Sequence, residues 1–300
     1  MTDFSVEPVE FASVAEDLRK VRSTVFVAEQ NVPVDLEWDG SDAGCHHVIA
    51  RDASGAPIGT GRLSPDRRIG RMAVLREWRG RGVGDALLRT LLEQAASLGW
   101  TEVSLHAQVS AESFYVRHGF VPRGERFEEA GIQHQDMWRA LGGSTAIDQR
   151  DAAVAITTAL AGQARRALDI HTRDLDPELL DAPQVLEALR RLATRQGPVE
   201  IRVLLHDAAA PQRALAPLLP LAQRLPSVFA FREVHDPVDR AWPCAFIAND
   251  AGGWYFRPRA ERLLGEARLD DPARARQLRE EFDRAWNHAR PCTLYRALSL

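Results

Sequence analysis

The sequence is poor in lysine, cysteine and long apolar stretches, and each shortage narrows what the protein can be. Lys20 is the only lysine among 300 residues. The three cysteines, Cys45, Cys244 and Cys292, lie far apart, which disfavours a disulfide framework or a zinc cluster. No apolar run approaches the ~20 residues of a membrane span, and the acidic start does not resemble a signal peptide. We therefore expect a cytoplasmic protein with no metal and no membrane partner.

The chain also lacks an excess of basic charge. Its formal net charge is −4 at pH 7. Residues 1–145 carry 16 basic and 21 acidic side chains, and the remainder carries 22 basic and 21 acidic ones. Neither half has the basic excess that binding to a phosphate backbone requires, so no nucleic-acid partner is expected. The length and the 45% hydrophobic content suffice for two domains, each with its own core.

What the sequence does contain is a glycine-rich turn between an apolar run, residues 69–75, and a helical pattern that ends at Gly99. Glycines let the backbone approach a ligand closely, and the free amides and dipole of a helix N-terminus favour a diphosphate. The spacing fits neither G-x-x-x-x-G-K-[ST] nor G-x-G-x-x-G, which disfavours a nucleoside-triphosphate loop and a dinucleotide fingerprint. The residues of this turn are Arg79, Gly80, Arg81, Gly82, Val83 and Gly84.

The pattern R-x-x-G-x-G resembles the coenzyme A pyrophosphate loop of the GNAT N-acetyltransferases. Further blocks agree with that superfamily in the same order, and together they resemble its ElaA-like branch over roughly residues 4–140. These blocks are 21–33, 36–39 with Asp42 and His47, 59–63, 105–108, 114–115, 119–120 and 127–134. The resemblance implies an α/β GNAT acyltransferase fold, with a mixed, mostly antiparallel central sheet flanked by helices. It also implies an acetyl-CoA-dependent N-acetyltransferase, in which an amine of a small molecule or peptide attacks the thioester directly.

The same resemblance assigns residues to the coenzyme. The loop 79–84 would hold the pyrophosphate. The fourth strand, which splays from its neighbour in this superfamily, would pair with the pantetheine arm through the backbone of Met72, Ala73 and Val74. The Val74 amide would also polarise the thioester carbonyl. Gln108 stands where the family has an asparagine that contacts the coenzyme.

Catalytic residues are less clearly indicated. The frame Gln108-x-x-Ala111-x-x-x-Tyr115 places Tyr115 where GNAT enzymes often keep the tyrosine that protonates the leaving thiolate. The candidates for the general base are Glu29, His106, Glu128 and His134, and each has an equally good structural interpretation. Many GNAT enzymes use a water chain instead of a single base. Glu29 can also serve, with Gln30 and Asp39, to order the loop on the acceptor side.

Signals along the chain predict local structure and a domain boundary. Ser13-x-x-Glu16 reads as a capping box for a helix that runs to about Ala28. The small, polar segment 141–145 reads as a linker between a GNAT domain, residues 1–144, and a second domain, residues 152–300. The second half alternates strands and helices, which favours an α/β layered structure. Its predicted elements include strands 166–172, 199–206 and 228–234, helices 183–195 and 211–225, a hairpin at 244–256 and a helix from Pro272.

The second half resembles, more weakly, one half of a phospholipase D-like domain. Active members carry H-x-K-x-x-x-x-D, but the frame ending at Asp250 has Pro243 and Ala245 in place of histidine and lysine. Without a nucleophile and a phosphate-binding cation, we expect a degenerate module that binds, regulates or dimerises, and a homodimer is left open. The alternative function is an acyl-CoA-binding sensor that does not turn over; residual phosphodiesterase activity is a weaker third.

Overall fold

The computed structural model describes residues 3–292 and Tyr295. They divide into two compact units. The first contains the described residues up to Ser110 together with 124–143, and the second contains 111–123 and the described residues from Ser144 onward. The predicted domain limits, 1–144 and 152–300, remain predictions. Within the described residues, no helix is long and apolar enough to cross a membrane.

The elements are numbered in chain order. The helices are α1 (Phe11–Arg22), α2 (Val34–Glu37), α3 (Val83–Ser97), α4 (Glu112–Arg117), α5 (Arg150–Gln163), α6 (Pro183–Ala193), α7 (Ala210–Arg213), α8 (Leu218–Arg224), α9 (Pro237–Arg240) and α10 (Pro272–His288). The strands are β1 (Phe4–Val9), β2 (His46–Asp52), β3 (Pro57–Leu63), β4 (Ile69–Val74), β5 (Glu102–Gln108), β6 (Val121–Pro122), β7 (Phe127–Glu129), β8 (Ile132–Ala140), β9 (Thr145–Ile147), β10 (Ala167–Thr172), β11 (Glu200–Leu205), β12 (Phe229–Glu233), β13 (Ala245–Asn249), β14 (Trp254–Arg257), β15 (Gly265–Arg268) and β16 (Arg290–Pro291).

The strands of the first unit leave one edge open. Strands β1 to β4 form an antiparallel sheet in chain order, and β8 pairs antiparallel with both β5 and β7. Strands β4 and β5 approach each other at a single parallel bridge, Arg68 to Ser104, where the Ser104 amide donates to the Arg67 carbonyl at 3.1 Å. Beyond that bridge, β4 has no strand partner on its outer edge among the described residues. This is the splay that the resemblance implied.

Helix α3 packs closely on β3 because two glycines of that strand carry no side chain. A Cβ on Gly59 would lie 3.0 Å from Leu87 Cδ1 and 3.1 Å from the Ala73 carbonyl oxygen. A Cβ on Gly61 would lie 2.7 Å from Leu91 Cδ1. Since both leucines are fully buried on α3, this contact fixes the helix on the sheet and its N-terminus beside the end of β4.

The first helix differs from its prediction. The predicted capping box is wrong, because Glu10 is the N-cap and Ser13 lies inside α1, where its hydroxyl donates to the Glu10 carbonyl at 2.8 Å. After α1 the chain continues as a π-helical segment, Ser23–Glu29, which ends close to the predicted limit at Ala28. Single π turns are frequent at functional sites, and this one brings Glu29 into the candidate site described below.

The second unit is built on one mixed sheet, in the order β16-β12-β11-β10-β13-β14-β15-β9. Strands β10, β11 and β12 are parallel, and β13 runs antiparallel to β10 on its other side. A core of buried apolar side chains joins α10 to this sheet. Its largest members are Trp254, Trp286, Phe246 and Phe282.

Two predictions in this unit fail locally. The single helix predicted at 211–225 is wrong: it is divided into α7 and α8, because Leu215 adopts a φ of 54° and Pro217 starts a new helix. The predicted linker is also shorter than expected, since Thr145 already lies in β9, opposite Ala267. The predicted hairpin is confirmed as β13 and β14, and Asp271 caps α10 by accepting from the Arg274 amide at 3.1 Å.

Candidate functional site

The glycine-rich turn has the conformation of an open backbone cradle. Gly80 and Gly82 have φ values of 75° and 84°, and nothing lies within 4 Å of a Cβ built on either. They are therefore glycine because the backbone is left-handed there, and not because a neighbour crowds them. Gly82 is the N-cap of α3, whose first amides have no intrahelical acceptor. The exposed turn thus has the form expected of an anion-binding helix N-terminus.

The end of β4 presents backbone groups to the open edge. The Leu75 amide donates to the Ile58 carbonyl at 2.9 Å, which makes this a hydrogen-bonded pair of the β3–β4 ladder. Bonded and non-bonded pairs alternate along an antiparallel ladder, so Val74, opposite Gly59, directs its amide and carbonyl away from β3. By the same alternation, the backbone of Ala73 is engaged with Thr60. Of these two predicted coenzyme positions, only Val74 therefore offers backbone groups to the gap.

Met72 lies beside a bulge. The register of β3 and β4 shifts between Thr60 and Arg62, and Arg71 adopts a φ of 51°. The bulge leaves the Arg71 carbonyl without a partner in the ladder. The Thr60 hydroxyl donates to that carbonyl at 3.0 Å instead. Bulges bend a strand and increase its twist, which contributes to the separation of β4 from β5.

An ion pair joins the turn to the π-helical segment. Arg79 donates through Nε to the Val74 carbonyl at 2.9 Å and through Nη2 to Glu29 at 2.7 Å. On the other side of the gap, the Gln108 amide donates to the side-chain carbonyl of Gln30 at 2.9 Å. Glu29 and Gln30 therefore connect the end of β4 with the end of β5. The structure brings Arg79, Val74 and Glu29 together and links Gln108 to the neighbouring Gln30, and the roles predicted for these residues remain predictions.

The second loop arginine has a different partner. The Arg81 guanidinium lies 4.9 Å from the ring centroid of Trp78, in a cation–π arrangement at the surface. A cation–π contact of this kind holds the guanidinium beside the aromatic ring. Trp78 closes the short 3-10 turn Arg76–Trp78 that leads from β4 into the loop.

Two predicted base candidates meet on the face of β5, β7 and β8. His106 lies with Nδ1 3.1 Å from a Glu129 carboxylate oxygen, and its ring contacts Phe127 edge-on at 4.7 Å. His134 stacks on the same Phe127 ring at 6.0 Å, with its Nδ1 2.8 Å from the Ile132 carbonyl. Glu128 lies next in the chain and accepts from Gln133 at 3.4 Å. The carboxylate partner of His106, Glu129, was not among the predicted residues.

Tyr115 lies on α4 in the second unit and is buried. Its ring contacts Phe120 edge-on, with centroids 5.9 Å apart. Burial raises the pKa of Tyr115 to about 12, so the phenol stays protonated at neutral pH. A protonated phenol can donate a proton, as the predicted general acid must.

A buried charge network, which the sequence did not reveal, holds the segment 36–42 of the first unit. Arg22 on α1 donates to Glu37 at 2.5 Å and to Asp42 at 2.8 Å. Arg62 on β3 also reaches Asp42, at 2.9 Å, and is 2.8 Å from Asp39. Each of these charges is paired, as burial requires, because an unpaired buried charge would cost several kcal/mol.

The network reaches the bulge of β4. Arg71 contacts Glu37 at 3.1 Å and Asp39 at 3.0 Å. Hydrogen bonds from Arg62 hold the pKa of Asp39 below its usual range, whereas burial raises the pKa of Glu37 against the attraction of Arg22. The acidic block 37–42 was part of the family resemblance, but one sequence does not show which arginines, far apart in the chain, pair with it.

The comparisons with known proteins decide the family. Residues 14–141 match the family described as Acetyltransferase (GNAT) domain. A relative from Bacillus subtilis, the uncharacterized N-acetyltransferase YjcF, is 36% identical over 128 residues, which cover 41% of this chain and 91% of that protein. The chain belongs to the GNAT acetyltransferase family. It is therefore an acyltransferase, and the GNAT fold implies an acyl-CoA co-substrate and an amine acceptor.

Solved structures resemble the same half of the acyltransferase. An acyl-CoA N-acyltransferase from Pseudomonas aeruginosa is 33% identical, with a TM-score of 0.42, and covers 46% of this chain and 99% of its own. ElaA from Escherichia coli is 30% identical, with a TM-score of 0.41, and covers 45% and 99% respectively.

The second half of the acyltransferase matches a different family. Residues 149–298 match one described as Domain of unknown function (DUF7931). The predicted likeness to a phospholipase D-like domain finds no support in these matches. Among residues 3–292 and Tyr295, no three His, Cys, Asp or Glu side chains are grouped so that they could hold a metal ion.

Proposed function

We propose that the protein transfers an acetyl group from acetyl-CoA to an amine of a small molecule or peptide, by direct attack of the amine on the thioester. The observation that carries this proposal is the outward-facing backbone of Val74, at an open strand edge, directly before the exposed left-handed turn at Gly80 and Gly82. A strand edge can pair with an extended amide-bearing arm, and the turn can hold a diphosphate. The strand edge and the turn follow each other in the chain, as the amide-bearing arm and the diphosphate do in acetyl-CoA.

In this proposal the loop residues act mainly through their backbone. Gly80, Gly82, Val83 and Gly84 supply amides and space at the N-terminus of α3, while Arg79 and Arg81 supply charge. Arg79 would exchange Glu29 for the diphosphate. The Val74 amide would polarise the thioester carbonyl, and an amide aimed at a developing oxyanion is worth about 2.7–4 kcal/mol of transition-state stabilisation.

For proton transfer, the structure supports His106 over Glu29. When His106 donates from Nδ1 to Glu129, its Nε2 is the acceptor, and this is the arrangement of an oriented general base. Glu29 is bound to Arg79, so its carboxylate is better suited to positioning the loop. Tyr115 is the proposed general acid for the leaving thiolate. The order of motifs further supports placing the enzyme in the ElaA-like branch.

The C-terminal domain predicted from the sequence, residues 152–300, is proposed to be non-catalytic, with a regulatory or binding role. The frame ending at Asp250 offers Pro243 and Ala245, neither of which can attack phosphorus or hold a phosphate. The proposal extends to a cytoplasmic location and leaves a homodimer open.

The experiment that tests this function measures thiol release from acetyl-CoA over a panel of small-molecule and peptide amines, with acetyl-CoA affinity measured in parallel. We expect release with at least one amine. His106→Gln should lower kcat by about 100-fold, because a general base contributes 10²–10⁴-fold, without changing the Kd for acetyl-CoA. The matched control is His46→Gln, an exposed histidine at the start of β2, which should behave as wild type. Acetyl-CoA binding without release from any amine would contradict the transferase and favour a sensor.

A further inference from the structure

The sheet of the second unit has a point at which its strand order reverses. From β10 the chain moves outward through β11 to β12, with all three strands parallel, and then returns to the other side of β10 as β13. In open α/β sheets, ligands bind outside the carboxyl ends of the strands at such a switch point. In this sheet, the switch point lies at the end of β10 and directly after β11.

Two buried histidines occupy this position. His171 is the penultimate residue of β10, and His206 follows β11 directly. Their Nε2 atoms are 3.0 Å apart, so the two imidazoles share one hydrogen bond. His171 is 1% exposed, and its Nδ1 has no hydrogen-bond partner within residues 3–292 or at Tyr295. A buried nitrogen without a partner is costly, and a bound ligand would remove that cost.

The backbone next to the pair is strained. Leu175 and Asp176 follow β10 with φ values of 71° and 41°, although neither is glycine and both are buried. Arg257 holds this conformation by donating to both carboxylate oxygens of Asp176, one of them at 3.1 Å. Strain of this kind costs of order 1–3 kcal/mol per residue and is concentrated at binding and catalytic sites.

The charges around the pair favour an anion. Arg173 acts on both imidazoles, Arg257 acts on His171, and Arg240 acts on His206, with Asp239 opposing. The Arg173 carbonyl accepts from the His206 amide at 3.1 Å, which fixes Arg173 beside the pair. Its side chain is 41% exposed, and Glu261 lies 3.0 Å from it at the surface.

The imidazoles themselves are neutral. Burial, aided by the nearby arginines, lowers the pKa of His171 to about 3, and burial also lowers the pKa of His206. Each ring then keeps one N–H, and one of these is used within the pair. The site can therefore offer a neutral N–H and the charge of Arg173 to a ligand, which matches an oxyanion better than a cation.

We propose that the second unit binds a small oxyanion, carried as a phosphate or a carboxylate group, at His171, His206 and Arg173. Neither histidine belongs to the H-x-K-x-x-x-x-D frame, and no bond is made or broken in this proposal. It deepens the binding role proposed for the second unit and does not depend on acyl transfer by the first.

The test uses the full chain labelled with nitrogen-15 and follows the imidazole nitrogens by NMR while inorganic phosphate, or acetate in a separate arm, is added. We expect saturable shifts of the His171 and His206 signals with one common midpoint, and the arm that saturates at the lower concentration identifies the oxyanion. Phosphate bound at the loop 79–84 would leave these signals unmoved, so failure of this site is distinguishable from failure of the coenzyme site.

Two variants test whether the oxyanion binds beside the histidine pair. Arg173→Gln, a substitution at a half-buried position outside the apolar core, is expected to raise the midpoint at least about tenfold, the loss of one charge-assisted hydrogen bond. His235→Asn, an exposed histidine after β12, is the control and should not change it. Unmoved His171 and His206 signals in both arms would overturn the proposal, as would an unchanged midpoint in Arg173→Gln. Release of product from a phosphodiester would overturn the non-catalytic role of the unit.

Discussion

At the scale of single residues, the candidate site depends on which side chains are hydrogen-bonded to one another, and these pairs are harder to predict than the residues themselves. Gln108 and Tyr115 could be found from the spacing Q-x-x-A-x-x-x-Y, and Arg79 from the loop pattern. Glu29 and Gln30 were also candidates, but their pairing with Arg79 and Gln108 could not be predicted, because the paired residues are distant in sequence and Glu29 ends a π-helical segment that leaves no sequence signal. The same holds for Glu129 beside His106 and for the arginines around Glu37.

Tyr115→Phe tests the proposed general acid. Since phenylalanine fills the same buried space, we expect the Kd for acetyl-CoA to stay within about twofold and kcat to fall by about 10²-fold, the lower range for a proton-transfer group. The pKa of about 12 keeps the native phenol protonated at assay pH.

The control for this residue is Tyr255→Phe, which removes another buried hydroxyl, one that donates to the Leu263 carbonyl. It should lower stability without changing kcat. Steady-state kinetics with the best amine of the panel measure both variants. Equal kcat in wild type and Tyr115→Phe would remove Tyr115 from the mechanism.

At the scale of elements, the periodicity of apolar residues predicted those helices and strands whose limits are set by the local sequence. Strands β10, β11 and β12 begin and end within one residue of their predicted limits, 166–172, 199–206 and 228–234. The failure at 211–225 has a physical cause: Pro217 and the left-handed Leu215 divide the predicted helix. Packing explains the glycines of β3, which the sequence showed only as part of the family resemblance.

Gly61→Val tests the docking of α3 on β3. Added methyl groups would meet Leu91, Met72 and Val48, all within 3.1 Å of a Cβ at this position. Overpacking of this kind costs about 1–3 kcal/mol of the free energy of unfolding. The matched control is Gly70→Val on β4, where nothing lies within 4 Å and the φ is not left-handed. Urea unfolding measures both, and equal midpoints would contradict the packing argument.

At the scale of the whole molecule, the chain combines two sections that match two families, residues 14–141 and residues 149–298. The chemistry of the first section can be recognised because a local sequence pattern identifies its loop and the strand before it. From sequence, the second could be assigned a layered α/β architecture but not its histidine pair, because His171 and His206 are 35 positions apart. Its proposed anion site arises because the pairing of β10 with β11 brings the two histidines together.

The central claim is that the backbone turn at Gly82 holds the diphosphate of acetyl-CoA, and calorimetry on two matched glycine variants tests it most directly. Gly82 and Gly55 have φ values of 84° and 85°, both are exposed, and neither has an atom within 4 Å of its Cβ position. Aspartate therefore strains both backbones equally, but only at Gly82 would it place a carboxylate against the diphosphate. Because like charges in contact cost several kcal/mol, Gly82→Asp should weaken acetyl-CoA binding at least about 100-fold, and Gly55→Asp by less than about twofold. Wild-type affinity in Gly82→Asp, or an equal loss in both variants, would contradict the account.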